Sequence, residues 1–308
     1  MPYSPPIIIT YFILPASLES VNDIIDMLVY QSMKISIQGE KGSFHYTATK
    51  LLLSEEVSVI SCKNFSETIN MLVSGKSDQA LVAIENSLFG SINEVYDLLL
   101  TNNVTIQAEV YLRIQQCLIG LPGTRLSDIK EVHSHPVALA QCEAFLDDKL
   151  PDVERFEHHD TAGSVADVKL WGDPSKAAIA SQEAAELHSL EVIRSEIETN
   201  KQNYTRFVLL TKKTDIIPKE ANKTSLVLRT PEDVKAGSLY QALGVFAKNN
   251  VNLFVLHSRP IIGKAWHYMF YLDIDSSPNQ ENFEIMIKDL SKQGCQISIL
   301  GSYKNNML

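Results

Sequence analysis

From Lys34 onward, short apolar runs alternate with segments whose apolar residues recur at helical spacing. The run KISIQ reads as a strand and SFHYTATKLLL as a helix; VSVIS precedes FSETINMLVSG, and QALVAIEN precedes EVYDLLLTN. Strands buried on both faces need continuous apolar runs of this kind, so the alternation predicts mostly parallel sheets covered by helices. A long extended stretch over residues 104–120 breaks the rhythm and predicts a crossing between two lobes. The alternation resumes through IKEVHS, PVALAQCEAFLDDKL, VERFEHH, TAGSVADVKLWG, KAAIAS and QEAAELHSL. A second crossing over residues 191–203 is expected to return the chain to the first lobe, which TRFVLL then completes.

Residues 211–225, TKKTDIIPKEANKTS, are polar, contain a proline and lack periodicity, which marks a linker. Beyond it the order strand, helix, strand, strand, helix, strand is the ferredoxin-like βαββαβ plan, with both helices on one sheet face. Leu239, Ala242, Leu243, Phe246 and Ala247 form the expected apolar stripe of its first helix, and Gly294 sits where the second should stop. The expected division is an α/β domain over residues 33–212, with lobes at about 33–112 plus 191–212 and at 113–190, then a linker at 213–223 and a C-terminal domain at 224–304. Residues 1–32 contain the apolar run PPIIITYFILPAS without a basic segment before it, so no signal peptide is expected. They read as an N-terminal extension or an over-extended start, and their removal is expected to change neither folding nor activity.

Composition narrows the function classes. The 308 residues carry 45% hydrophobic and 21% charged side chains, ordinary for a soluble globular protein. A formal net charge of -10 argues against nucleic acid or an anionic membrane as partner, yet leaves small anionic ligands open. Cys62, Cys117, Cys142 and Cys295 show no paired spacing, which favours reduced structural thiols and a cytoplasmic setting. No run approaches the roughly 18 apolar residues of a membrane span.

Candidate chemistry gathers in four loops that follow strands: QGEKGS from Gln38, ENSLFGS from Glu85, HSHPVA from His133 and DTAGS from Asp160. Each carries small, hydroxyl or amide residues just before a helix, where backbone N–H groups favour an anion. In open α/β sheets such loops converge outside the carboxyl ends of the strands. Thr161 reads as an N-cap. Glu85 reads equally as a carboxyl of raised pKa or as an acceptor locked by backbone N–H groups. His133 and His135 share a face if their strand continues, but no further ligand is spaced to complete a metal site, and none is expected. His158, His159 and Asp160 read as a solvated strand end. The stretch NYTRFVLL from Asn203 puts a hydroxyl and a guanidinium together at the mouth of an apolar strand.

These motifs resemble one family: prephenate dehydratase with a C-terminal ACT regulatory domain. The resemblance runs from about residue 33 to 303 and rests on IQGEKGSFHYTA, AIENSLFGS, SHPVALAQC, DTAGS, AAIAS with AAEL, NYTRFVLL and HSRP. It implies a two-lobed, periplasmic-binding-protein-like α/β catalytic domain and a ferredoxin-like ACT domain. The implied reaction converts prephenate to phenylpyruvate, water and carbon dioxide in phenylalanine biosynthesis, without cofactor or metal. Arogenate dehydratase and a non-catalytic amino-acid sensor remain the alternatives. Motif by motif, the resemblance makes Thr205 catalytic and assigns Arg206, Asn86, Ser87, Ser134, Gln141, Thr161 and Glu85 to substrate binding, Arg206 through a carboxylate. It also implies phenylalanine as effector near Gly237, Ser238 and Leu239, opposite His257, Ser258, Arg259 and Pro260 of a neighbour in a homodimer or homotetramer. Two positions depart from the family pattern: Glu-Ser-Arg-Pro reads His257-Ser258-Arg259-Pro260, and Gly-Ala-Leu reads Gly237-Ser238-Leu239. No all-helical module precedes the first motif, so chorismate mutase activity is not expected. A chain ending near Lys213 is expected to keep catalysis and lose inhibition.

Overall fold

A computed structural model describes residues 33–53, 57–231, 236–261 and 263–307; the extension expected at residues 1–32 lies outside the described residues. The first lobe comprises β1 (Lys34–Gln38), α1 (Phe44–Leu52), β2 (Ser58–Cys62), α2 (Phe65–Val73), β3 (Gln79–Asn86), β4 (Gly90–Ser91), α3 (Asn93–Thr101) and β5 (Val104–Arg113). It is completed by β11 (Tyr204–Lys212). The sheet order is β2-β1-β3-β11-β5, with β4 paired to β3. β1 runs parallel to β2 and β3, while β11 is antiparallel to β3 and β5. Side chains explain the helix starts: Ser43 accepts from the Tyr46 amide, and Asn64 from the Glu67 amide.

The second lobe holds β6 (Cys117–Gly120), β7 (Glu131–Ser134), α4 (Pro136–Gln141), α5 (Glu143–Lys149), β8 (Glu154–Glu157), α6 (Thr161–Trp171), β9 (Lys176–Ala180), α7 (Gln182–His188) and β10 (Glu191–Arg194). Its sheet order is β10-β6-β9-β7-β8. β10 pairs antiparallel with β6, so the chain leaves this lobe after Arg194; the expected return at residue 191 comes too early. β7 to β9 are parallel, with apolar clusters on both faces of the sheet.

The C-terminal domain has β12 (Lys223–Arg229), α8 (Ser238–Lys248), β13 (Leu253–Pro260), β14 (Tyr268–Ile274), α9 (Glu281–Lys292) and β15 (Gln296–Tyr303). The order β13-β14-β12-β15, antiparallel throughout, is the ferredoxin-like arrangement. Along α8 the buried stripe is Ala242, Val245 and Phe246; Ala247, expected inside, faces out. Lys223, expected in the linker, opens β12 and is fully buried.

Period-two alternation gives this sheet two apolar faces. Leu226, Leu228, Leu272 and Ile274 meet the helices, whereas Val227, Met269, Tyr271, Leu300 and Tyr303 join the core of the first lobe. Tyr271 meets the Tyr96 ring edge-on at 4.8 Å and donates to the Tyr96 carbonyl at 3.0 Å. The two domains therefore share a core, and a chain ending near Lys213 would expose it, against the expected autonomy of the catalytic domain. At Gly301 the approach is closest: a Cβ would lie 2.1 Å from the Ile106 carbonyl oxygen in β5. Backbone cannot yield as a flexible side chain can, so Gly301→Ala is expected to cost about 1–3 kcal/mol or more. Urea unfolding with near-UV circular dichroism checks this; an unchanged midpoint would refute the tight interface.

Candidate active site

The catalytic candidate lies where β3 ends and β11 begins. The register pairs Thr205 with Asn86 and Arg206 with Glu85, then shifts so that Phe207 pairs with Ala83. Directly opposed residues share a sheet face and successive residues take opposite faces. Asn86 and Thr205 thus occupy one face, Glu85 and Arg206 the other.

Asn86 has a fixed orientation. Its Oδ1 accepts from the amides of Leu88 at 3.0 Å and Phe89 at 3.1 Å. Its Nδ2 donates to Thr205 Oγ1 at 2.9 Å and to Asn203 Oδ1 at 2.8 Å. Because Thr205 Oγ1 accepts here, its own proton stays available to a ligand. Ser87 acts as a clip: its hydroxyl donates to the Gln202 carbonyl at 2.8 Å and accepts from the Tyr204 amide at 2.9 Å.

The remaining candidates belong to the second lobe. Ser134 ends β7, is fully buried, and donates to the Ile179 carbonyl at 2.6 Å. Thr161 is the first residue of α6; the N-cap is Asp160, whose Oδ1 accepts from the Gly163 amide at 2.5 Å, so the expected cap role moves back one residue. Gln141 ends α4 and accepts from Gln116 Nε2 at 3.0 Å. With Leu88 and Phe89 of the first lobe and Ala140, Ala144 and Thr199 of the second, it lines a cleft of about 380 Å³. The lobes meet where Ser181 donates to the Gly42 carbonyl at 2.6 Å and Glu183 takes Thr47 at 2.6 Å and Lys50 at 2.7 Å. Gly42 has φ +89°, and a Cβ there would sit 2.9 Å from Ala184 Cα.

Two predicted substrate contacts lie on the wrong face. Arg206 is buried, its Nε 2.8 Å from Glu109, Nη1 2.5 Å from Asp273 and Nη2 2.8 Å from the Tyr303 hydroxyl. Hydrogen-bonded through Nε and Nη2 and ion-paired through Nη1 inside the protein, it is no substrate fork; strand alternation carried it away from the cleft. Glu85 likewise faces the C-terminal domain, 3.7 Å from His257 Nε2.

The expected effector residues also divide. Gly237, Ser238 and Leu239 line a cavity of about 430 Å³ with Arg229, Thr230, Trp266, Tyr268 and Phe270. The His257–Pro260 run lies in β13 and does not line that cavity. His257 bonds Ser91 Oγ at 2.8 Å and Arg259 meets Asp97 at 2.5 Å, both in the same chain's first lobe. Ser258 and Pro260, on the other face, are exposed.

The histidines take separate tasks. His133 lies 3.0 Å from Glu131 and stacks on Phe156, while His135 caps α4 by accepting from the Val137 amide at 3.2 Å. Among the described residues, His158, His159 and Asp160 have side-chain atoms within 4.8 Å of one another. Sequence reasoning missed His45, Glu109, Lys223 and Asp273. A lone carboxylate between Ala108 and Val110 in an apolar strand was the available signal for Glu109.

His45 packs edge-on against Phe207 at 5.0 Å, and its Nε2 accepts from the Ala83 amide at 3.2 Å, beside the register shift. Burial lowers its pKa to about 3. A depressed folded-state value means the unfolded chain binds the proton more tightly. The stability due to neutral His45 is full above about pH 6.5 and is lost as pH falls toward 3. His45→Gln is expected to reduce the acid sensitivity of the urea midpoint between pH 7 and 4; an identical pH slope would count against this assignment.

The chain is similar to proteins of one known family. Residues 35–215 match the family model described as prephenate dehydratase. The bifunctional chorismate mutase/prephenate dehydratase of Escherichia coli is 33% identical over 276 residues, covering 88% of this chain and 71% of that protein. Arogenate dehydratase/prephenate dehydratase 2 of Arabidopsis thaliana is 33% identical over 282 residues, covering 88% and 72%. The crystal structure of prephenate dehydratase from Arthrobacter aurescens in complex with L-Phe superposes with a TM-score of 0.79 at 29% identity, covering 89% and 90%.

Proposed function

The chain belongs to the prephenate dehydratase family, and on that footing we propose that it converts prephenate to phenylpyruvate, water and carbon dioxide under feedback control by phenylalanine. At the coarser level it is a lyase-type dehydratase for prephenate or arogenate. The observation that carries the reading is the Thr205 hydroxyl, held as an acceptor by Asn86 so that its proton is left for substrate.

The chemistry needs little more. The carbon–carbon bond to the ring carboxylate breaks, its electron pair enters the ring, and the opposite carbon–oxygen bond breaks as the ring becomes aromatic. The departing hydroxide must gain a proton to leave as water. Thr205 supplies a stiff hydrogen-bond donor, or one link of a relay, at that oxygen. With Arg206 committed elsewhere, a substrate carboxylate is assigned to the N-terminal end of α1, with Thr161 and Gln141 as neutral donors. Ser87 and Ser134 act by shaping the loops, since their protons are bound to backbone carbonyls. A cleft shared by two lobes can close over substrate and leave the departing carboxylate poorly solvated, which favours its loss as carbon dioxide.

Thr205→Ala is expected to lower kcat by about 10²- to 10⁴-fold with little change in KM, and Thr205→Ser to recover part of it. Assays of phenylpyruvate from prephenate and phenylalanine from arogenate, run side by side, check both chemistry and preference. Near-normal turnover by Thr205→Ala would remove Thr205 from the mechanism; higher kcat/KM on arogenate would favour the second substrate.

For control, the proposed phenylalanine site is the cavity at Gly237–Leu239, where the start of α8 faces Trp266, Tyr268 and Phe270. Inhibition requires that phenylalanine bind the inactive arrangement better than the active one. We expect a homodimer or homotetramer, as the resemblance implies. Trp266 lines the cavity, so phenylalanine titration is expected to change tryptophan emission in parallel with inhibition. Inhibition that survives Trp266→Ala and Leu239→Asp unchanged would place the effector elsewhere.

A further inference from the structure

We propose that Asp273, in the C-terminal domain, is a positioning residue for the reaction: by holding the Arg206 guanidinium it fixes the strand mouth that presents Thr205. The inference rests on the proposed role of Thr205. It adds that the catalytic strand is incomplete without a carboxylate from outside the catalytic domain.

The β3–β11 ladder is interrupted at a critical place. After Thr205–Asn86 and Arg206–Glu85 the register shifts, and the next pair is Phe207–Ala83. Such a bulge re-aims side chains and loosens the pairing at that end of the strand. Something else must hold the residues before it. On the cleft face this is the clip formed by Asn86 and Ser87. On the opposite face it is Arg206, one residue from Thr205.

Arg206 is hydrogen-bonded through Nε and Nη2 and ion-paired through Nη1, and two of its three partners belong to the C-terminal domain. Nε meets Glu109 of β5, Nη1 meets Asp273 of β14, and Nη2 donates to the Tyr303 hydroxyl of β15. Asp273 is located in turn by Ser225, whose Oγ donates to Oδ1 at 2.5 Å and lies 2.5 Å from the Tyr303 hydroxyl. Lys223 Nζ completes the group, 2.9 Å from Glu109 and 3.6 Å from Asp273. Two acids and two bases thus balance, each side chain no more than 7% exposed. Displacing any one leaves a buried charge without its counterion, so the cluster has one favourable geometry. A planar guanidinium gripped along its edges transmits that geometry to its own backbone.

The test separates position from mere stability by keeping the cluster neutral. In full-length chain, Asp273→Leu with Lys223→Met removes one acid and one base and abolishes the contact to Arg206. Asp273→Asn with Lys223→Met keeps neutrality and retains a hydrogen-bond acceptor for Arg206. The expected result is a kcat loss of about 10- to 100-fold in the Leu variant, with KM within about twofold and most of kcat recovered in the Asn variant. Amide hydrogen exchange over residues 204–207 should accelerate in the Leu variant alone. Wild-type kcat in a folded Leu variant, or equal losses in both double variants, would overturn the proposal. If the Leu variant does not fold, Asp273→Glu, which displaces the carboxylate by one methylene, carries the same readouts, and normal kcat there is equally fatal. If wild-type protein turns over neither prephenate nor arogenate, the functional reading fails by itself. Hydrogen exchange then decides the positioning claim, with unchanged protection at residues 204–207 refuting it.

Discussion

The arrangement depends on a buried balance of charge between two domains. Glu109 and Arg206 of the catalytic domain are matched by Lys223 and Asp273 of the C-terminal domain, with Tyr303 bonding Arg206 and Ser225 bonding Asp273. A cluster of this kind adds little net stability over an apolar interface, because desolvation offsets most of the attraction. Its consequence is specificity: removing one member costs about 3–5 kcal/mol, so only the register that pairs all four charges is tolerated. The apolar contacts of Tyr271, Met269 and Leu300 supply attraction without direction, and the charges supply the direction.

That docking explains how one strand serves two purposes. β11 lies between β3 and β5 in the first sheet, with its beginning at the cleft. Its odd-numbered start, Thr205, takes its hydrogen bond from Asn86, while the next residue enters the interdomain cluster. The loops that surround the cleft are held by equally specific local means. Ser87 ties its loop to residues 202–204, Ser134 ties β7 to β9, and Ser181 ties the second lobe to the loop after β1. Hydroxyls that resemble ligands in sequence thus serve to set the shape in which Thr205 stands.

The C-terminal domain also joins the catalytic lobe away from this cluster. His257 meets Ser91, two residues past the loop that fixes Asn86, and Arg259 meets Asp97 in α3. The cavity at Gly237 opens on the same domain whose strands carry Asp273 and Tyr303. Any rearrangement of that sheet must therefore be felt at β11, β4 and α3 together, because the interface is packed and ion-paired.

Local sequence pattern suffices for the alternation of strands and helices and for the ferredoxin-like order after the linker. Each of these follows from local periodicity and from capping residues such as Ser43, Asn64 and Asp160, whose chemistry acts within a few positions. The sequence also singled out Thr205 and Arg206 as a pair, because a short polar run before FVLL is a local feature. It did not separate Thr205 from Arg206. Which face a residue takes depends on register, and the shift between β3 and β11 is a long-range pairing that no local pattern records. For the same reason β10 was expected with the first lobe, though it pairs with β6, and Lys223 was expected in a solvated linker. Glu109, Lys223 and Asp273 lie far apart along the chain, and each alone looks like an ordinary strand charge. Only the tertiary structure could bring them to Arg206, because burial is decided by what packs over a surface, here a second domain's sheet.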